Sequence, residues 1–176
     1  VLTKYNIKDA VNLWCDNKDE AIEIYGHISE WDVSNVNDMS NLFKYQSDFN
    51  EDISNWNVSN VTNMREMFLG AESFNQPIDN WDVSNVTNMS FMFYDATLFN
   101  QPLNNWNVYN VTNMSYMFFG ARSFNQPLNN WDVSKVMDMK RMFCYAQSFN
   151  QPLDNWNVCN VLNMNGMFLF CLLYTS

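Results

Sequence analysis

Histidine occurs once, glycine four times, and lysine plus arginine nine times in 176 residues, and no run of about 18 apolar residues is present. Each scarcity closes off a class of function. His27 is the lone histidine, no nucleophile has a base at a recognisable spacing, and four glycines build no phosphate-cradling loop, so catalysis has little support. Nineteen aspartates and glutamates against nine scattered basic residues give a formal net charge of −10. That balance argues against nucleic acid and against anionic membrane surfaces as partners. The missing apolar run removes a membrane-spanning helix, and no charged and apolar leader marks a signal peptide. The chain opens at Val1 rather than Met, so the native start is expected upstream. Four cysteines, Cys15, Cys144, Cys159 and Cys171, form no CxxC pair and recur at no fixed spacing. Free thiols are expected, with no disulfide framework, metal or other cofactor.

What is present in abundance is repetition. Trp31, Trp56, Trp81, Trp106, Trp131 and Trp156 lie 25 residues apart. A fixed period in this range marks a stacked array in which each unit buries its apolar side only against its neighbours. With Trp as position 1, apolar residues recur at positions 1, 3, 6, 9, 12, 13, 16, 19 and 23. In the third coil they are Trp81, Val83, Val86, Met89, Met92, Phe93, Ala96, Phe99 and Leu103. The Leu-x-x-Trp-x-Val segment ends in alternation and predicts a short strand bounded by Pro and Ser-Asn. Positions 9, 12, 13 and 16 have the i, i+3, i+4, i+7 spacing of one helical face and predict a short helix. The expected fold class is therefore α/β, a solenoid of strand-turn-helix coils.

The remaining columns suit corners. Pro77, Pro102, Pro127 and Pro152 precede the predicted strand, where a missing N–H does little harm. Asn75, Asn100, Asn125 and Asn150 recur at one turn, and Asn35, Asn60, Asn85 and Asn110 at another. Their amides are expected to bond unpaired backbone and to form ladders between coils. Six Asn-x-Ser/Thr sequons, such as Asn60-Val61-Thr62, are read as by-products of this pattern.

Residues 1–30 break the period. Ile7 to Asp16 and Asn17 to Tyr25 read as two helices, the second closed by Gly26, and together as an N-terminal cap. Residues 31–170 hold five full repeats and a truncated sixth. The tail at 171–176, CLLYTS, is what a transposon adapter used in preparing sequencing libraries encodes in one frame. It is expected to be a read-through on a truncated environmental gene, leaving an uncapped last coil able to associate.

The unit WDVSNVTNMSFMFYDATLFNQPLNN, Trp81 to Asn105, resembles the repeat of the BspA-like leucine-rich-repeat surface proteins. That family overlaps a domain of unknown function first noted in mycoplasma surface lipoproteins. The resemblance runs from Trp31 to about Phe170, and the lead-in YGHISEWDVSN from Tyr25 to Asn35 is similar too. Departures concentrate at Gln46, Glu51 and Asp52 and at Lys135 and Met137. The resemblance implies a right-handed α/β solenoid related to leucine-rich repeats, displayed at the cell surface, with adhesion or recognition as its work.

Two faces are candidates for that work. If positions 1 and 3 point inward, positions 2 and 4 form the outer sheet face: Asp32, Ser34, Asn57, Ser59, Asp82, Ser84, Asn107, Tyr109, Asp132 and Ser134. The aspartates sit on alternate coils, about 10 Å apart at a strand spacing of about 4.8 Å, too far to share a calcium ion. On the predicted helix side, Phe91, Tyr94, Tyr116 and Phe119 at positions 11 and 14 would make an exposed aromatic patch suited to a protein contact. The expected function is a non-catalytic binding module for a protein or glycan. An intracellular scaffold is the alternative, and a carbohydrate-active enzyme a distant third.

Overall fold

The computed structural model describes residues 2–171. Helix α1, Ile7–Asp16, buries Ile7, Ala10, Val11 and Trp14 along one stripe. Helix α2, Lys18–Tyr25, starts where the Asn17 side chain accepts from the Glu20 amide at 3.3 Å and ends at Gly26, whose φ of 77° suits a residue without Cβ. A 3₁₀ turn, Ile28–Glu30, then leads into Trp31. The Trp14 ring meets Trp31 edge-on at 5.9 Å, so α1 lies against the first coil.

From Trp31 onward each 25-residue unit lies on the next, but not as strand and helix. Among the described residues the repeats contain no helix and no extended strand. The β-bridges between coils, among the described residues, are isolated parallel ones running through Asp38, Asn63, Asn88, Asn113, Asp138 and Asn163, at position 8. The α/β strand-turn-helix architecture, and with it the right-handed leucine-rich-repeat-like solenoid that the resemblance implied, is therefore corrected to a stack of turns.

The backbone explains why no helix forms. In the third coil the amides of Met89, Phe91, Phe93 and Asp95 donate forward to carbonyls of Asn113, Ser115, Met117 and Phe119, at 2.7–3.0 Å. The amides between them close local turns: Met92 bonds Met89, Tyr94 bonds Phe91, and Ala96 bonds Phe93, each three residues back. A helix would need every amide to reach four residues back. Phe91 and Asp95 also take φ of 58° and 51°, left-handed values that interrupt any right-handed helix. The predicted strand fares likewise, since Trp81 N bonds Ile78 O and Val86 N bonds Val83 O across turns.

The nine apolar columns nonetheless face inward. Val86, Met89, Met92, Phe93, Ala96, Phe99 and Leu103 are fully buried, with Trp81 and Val83 nearly so. The core is organised as aromatic columns along the stack. Phe43, Phe68, Phe93, Phe118, Phe143 and Phe168 lie 5.3–5.6 Å apart with planes within 6°. Phe49, Phe74, Phe99, Phe124 and Phe149 form a second column at 5.9–6.0 Å. Offset ring pairs of this kind add about 0.5–1.5 kcal/mol each beyond area burial.

Polar residues lock the register. From the second coil on, each coil-opening Trp indole donates to the carbonyl 28 residues back, as in Trp106 Nε1 to Ile78 O at 2.9 Å and Trp131 Nε1 to Leu103 O at 2.8 Å, while Trp31 Nε1 bonds Gly26 O at 3.0 Å. Asn100 Oδ1 accepts from Asn125 N at 3.0 Å and from Gln126 Nε2 at 3.1 Å, and the same pair of bonds recurs from coil to coil. The other Asn column reaches back too: Asn85 Nδ2 bonds Ser59 O at 2.8 Å and Asn110 Nδ2 bonds Ser84 O at 2.9 Å. Cys171 occupies the position held by Ala in the second to fifth coils and is buried, its thiol 3.3 Å from Phe149 O. The rest of the expected tail lies outside the described residues.

Candidate functional site

Positions 2 and 4 do face solvent, on a turn rather than on a sheet. Asp32, Asn57, Asp82, Asn107 and Asp132 are exposed, and Ser34, Ser59, Ser84 and Ser134 are half-buried. Their polar groups are turned on each other. Asp32 Oδ1 accepts from Ser34 N at 3.0 Å and Ser34 Oγ at 2.6 Å, and Asp82 and Asp132 accept from Ser84 N and Ser134 N at 3.0 Å. Asn57 and Asn107 make the same bond to Ser59 N and Tyr109 N, at 3.2 Å. These are Asx turns, in which the side chain stands in for backbone. The serine hydroxyl and amide hold the Asp32, Asp82 and Asp132 carboxyls below the usual range. Tyr109 breaks the column, and Lys135 Nζ sits 3.8 Å over its ring while also reaching Asn110 Oδ1 at 3.0 Å.

Positions 11 and 14 behave differently. Phe91 and Tyr116 stack at 4.6 Å with planes 8° apart, and Tyr94 and Phe119 at 4.5 Å and 4°. Each lies on a left-handed or turn residue rather than on a helix, and all four are half-buried because each covers its neighbour. The Phe91–Tyr116 column ends in cations, with Arg65 5.9 Å from the Phe91 centroid and Lys140 5.7 Å from that of Tyr116. Tyr145 extends the second column, meeting Phe119 edge-on at 5.4 Å.

Beside these columns runs an open groove of about 650 Å³, lined by Tyr45, Ser47, Leu69, Gly70, Glu72, Phe91, Tyr94, Asp95 and Tyr116. Tyr45, Glu72 and Asp95 are residues that sequence reasoning missed. A signal was available: position 15 reads Tyr45, Gly70, Asp95, Gly120, Tyr145, so side chains and glycines alternate through the first five coils before Phe170 breaks the pattern. The Tyr45 ring lies over Gly70 and the Asp95 carboxylate over Gly120, where a Cβ would collide with either. Burial raises the Asp95 carboxyl above its ordinary value, Arg122 pulls it down, and Glu72 adds to the rise.

Buried Glu66, at position 11 of the second coil, is held by Lys44 at 2.5 Å and Arg65 at 2.7 Å. Burial pushes its carboxyl up, but the two cations outweigh this and leave it lowered. Cys15 is pushed up to about 11 by burial, with Asp16 and Glu51 adding, which keeps the thiol protonated and poorly nucleophilic. His27 turns Nδ1 toward the 3₁₀ turn, 2.9 Å from Ser29 Oγ.

The family model described as "Mycoplasma protein of unknown function, DUF285" matches residues 15–111 and again 80–174. The chain belongs to this family. The two DUF285 matches overlap and together run from α1 through the sixth coil, so membership rests on the whole array and not on one corner of it. No curated protein and no solved structure matches. The DUF285 description assigns no activity, so function has to be argued from the faces just described. No helix among the described residues is long and apolar enough to cross a membrane.

Proposed function

We propose that this chain is a non-catalytic recognition module that docks a partner protein through the ring columns of Phe91, Tyr94, Tyr116 and Phe119. We place it at the cell surface, as in the BspA-like surface proteins whose repeat it resembles. The supporting observation is a break in the repetition. Stacking dictates the inward columns, yet positions 11 and 14 are free to vary and carry Asn41, Lys44, Glu66, Leu69, Arg141 and Cys144 in other coils. Four aromatics in adjacent coils are not required by the architecture, and aromatic residues beside arginine are what protein interfaces concentrate. Ring faces of Phe91, Tyr116 and Phe119 are covered by neighbours, so a partner meets mainly ring edges, which suits side-chain packing better than stacking of a sugar.

The test is the double variant Phe91→Ser with Tyr116→Ser, compared with wild type by capture from cell-surface extracts and by light scattering. Loss of captured protein or of self-association, with the unfolding curve still cooperative, is expected. Capture and association unchanged would remove the ring columns from consideration. Surface display is read separately, from protease shaving of intact cells that make the natural protein.

A further inference from the structure

The groove beside the ring columns has a largely aromatic wall, and the charged residues that line it are acidic. Tyr45, Phe91, Tyr94 and Tyr116 supply aromatic surface, Gly70 leaves the floor open, and Glu72 and Asp95 supply carboxylates. Among the described residues no lysine or arginine lines it, although Lys44, Arg65 and Lys140 lie 5.2, 5.9 and 5.7 Å from the Tyr45, Phe91 and Tyr116 ring centroids. Phe119 covers one face of the Tyr94 ring, while Leu69 and Gly70, from the preceding coil, border the groove on the other side.

The carboxylates are unlike their neighbour Glu66. Glu66 is buried and carries two cations within 2.7 Å. Asp95 is half-buried, and among the described residues neither it nor Glu72 forms a salt bridge, although Arg122 acts on Asp95 from beyond that range. Partial burial of a carboxylate without a direct partner costs free energy that an incoming cation would recover. Aromatic surface next to such a carboxylate attracts the same ligand, because a ring face draws a cation and accepts the apolar stem behind it.

We propose that this groove receives a lysine or arginine side chain of the partner protein, its stem against Tyr45 and Tyr94 and its charge between Glu72 and Asp95. This rests on the recognition role proposed above and adds the chemistry of the partner. A chain of net charge −10 favours approach of a basic segment, and the groove is where that attraction becomes a specific contact. A guanidinium gains most, since it stacks on a ring and pairs with carboxylates at once.

The experiment is an amide NMR titration with the peptide Gly-Arg-Gly and its uncharged twin Gly-citrulline-Gly, with maltotriose as a neutral sugar. Saturable shifts at Gly70, Tyr94 and Asp95 are expected with the arginine peptide, and affinity about tenfold lower with citrulline. Asp95→Asn and Glu72→Gln are each expected to weaken the arginine peptide several-fold while leaving the spectrum folded. Equal response to both peptides, no response to either, or a response at the groove only to maltotriose overturns the proposal. Capture that is lost in the Phe91→Ser, Tyr116→Ser variant but unaffected by Asp95→Asn with Glu72→Gln overturns the cation site while leaving the recognition face standing. Capture unaffected by either pair of changes overturns both.

Discussion

Asn100→Ala is expected to cost about 2 kcal/mol, and Asn150→Ala, the same change at the same coil position, less than about 0.5 kcal/mol. Asn100 Oδ1 accepts the Asn125 amide at 3.0 Å and Gln126 Nε2 at 3.1 Å. Each such bond is worth about 1 kcal/mol net, and its loss leaves the half-buried Asn125 amide without its partner. Asn150 donates its own amide to Asn125 Oδ1 at 2.9 Å, which alanine preserves, and among the described residues its side-chain oxygen accepts nothing. Urea unfolding followed by tryptophan fluorescence reads both. Because Asn150 is more exposed than Asn100, the cycle through Gln126→Ala is the cleaner arm, with a coupling to Asn100→Ala of about 1 kcal/mol expected. Equal costs at the two asparagines with no coupling would refute the ladder as a source of stability.

Asp32, Asp82 and Asp132 have lowered carboxyl values, so their contribution is present above the ordinary aspartate value of about 4 and is lost as pH falls through the lowered ones. The triple change to Asn keeps an acceptor, as Asn57 shows, but not the charge, and is expected to lower stability slightly at pH 7 while flattening its fall below about pH 4; an unchanged pH dependence contradicts it. Gly26→Ala meets open space, but a φ of 77° with a ψ of −176° is backbone essentially confined to glycine, so a cost of about 1–3 kcal/mol is expected. Gly120→Ala adds a collision with Asp95 Oδ1 to a φ of 66°, and in an Asp95→Ala background the same change is expected to cost less. A thermal-midpoint drop for Gly120→Ala that is the same in both backgrounds would contradict that reading.

The period and the buried columns were legible because stacking forces the same residue inward every 25 positions, and Trp81 through Leu103 show it. The local backbone was not legible from the same residues. Met89, Met92, Phe93 and Ala96 are spaced as on a helical face, yet a run of three-residue turns alternating with forward bonds turns the same four inward. The sequence clue was the tolerance of positions 11 and 15 for left-handed residues: Asn41, Gly70, Asp95, Gly120 and Gly166 all take positive φ. Tyr45, Phe91, Tyr116 and Arg141 take it as well, and such side chains hid the clue. At the candidate site, Phe91, Tyr94, Tyr116 and Phe119 were visible as aromatics at the outward positions 11 and 14. Glu72 and Asp95 were not, because their meeting with Tyr45 depends on which side of a turn each one leaves.

Far-UV circular dichroism tests the stack of turns most directly. If the coils are built from turns, helical signal comes only from the ten residues of α1 and the eight of α2, and deleting residues 2–25 removes nearly all of it. A helical signal several times larger, surviving that deletion, would contradict the stack of turns and restore a helix to every coil.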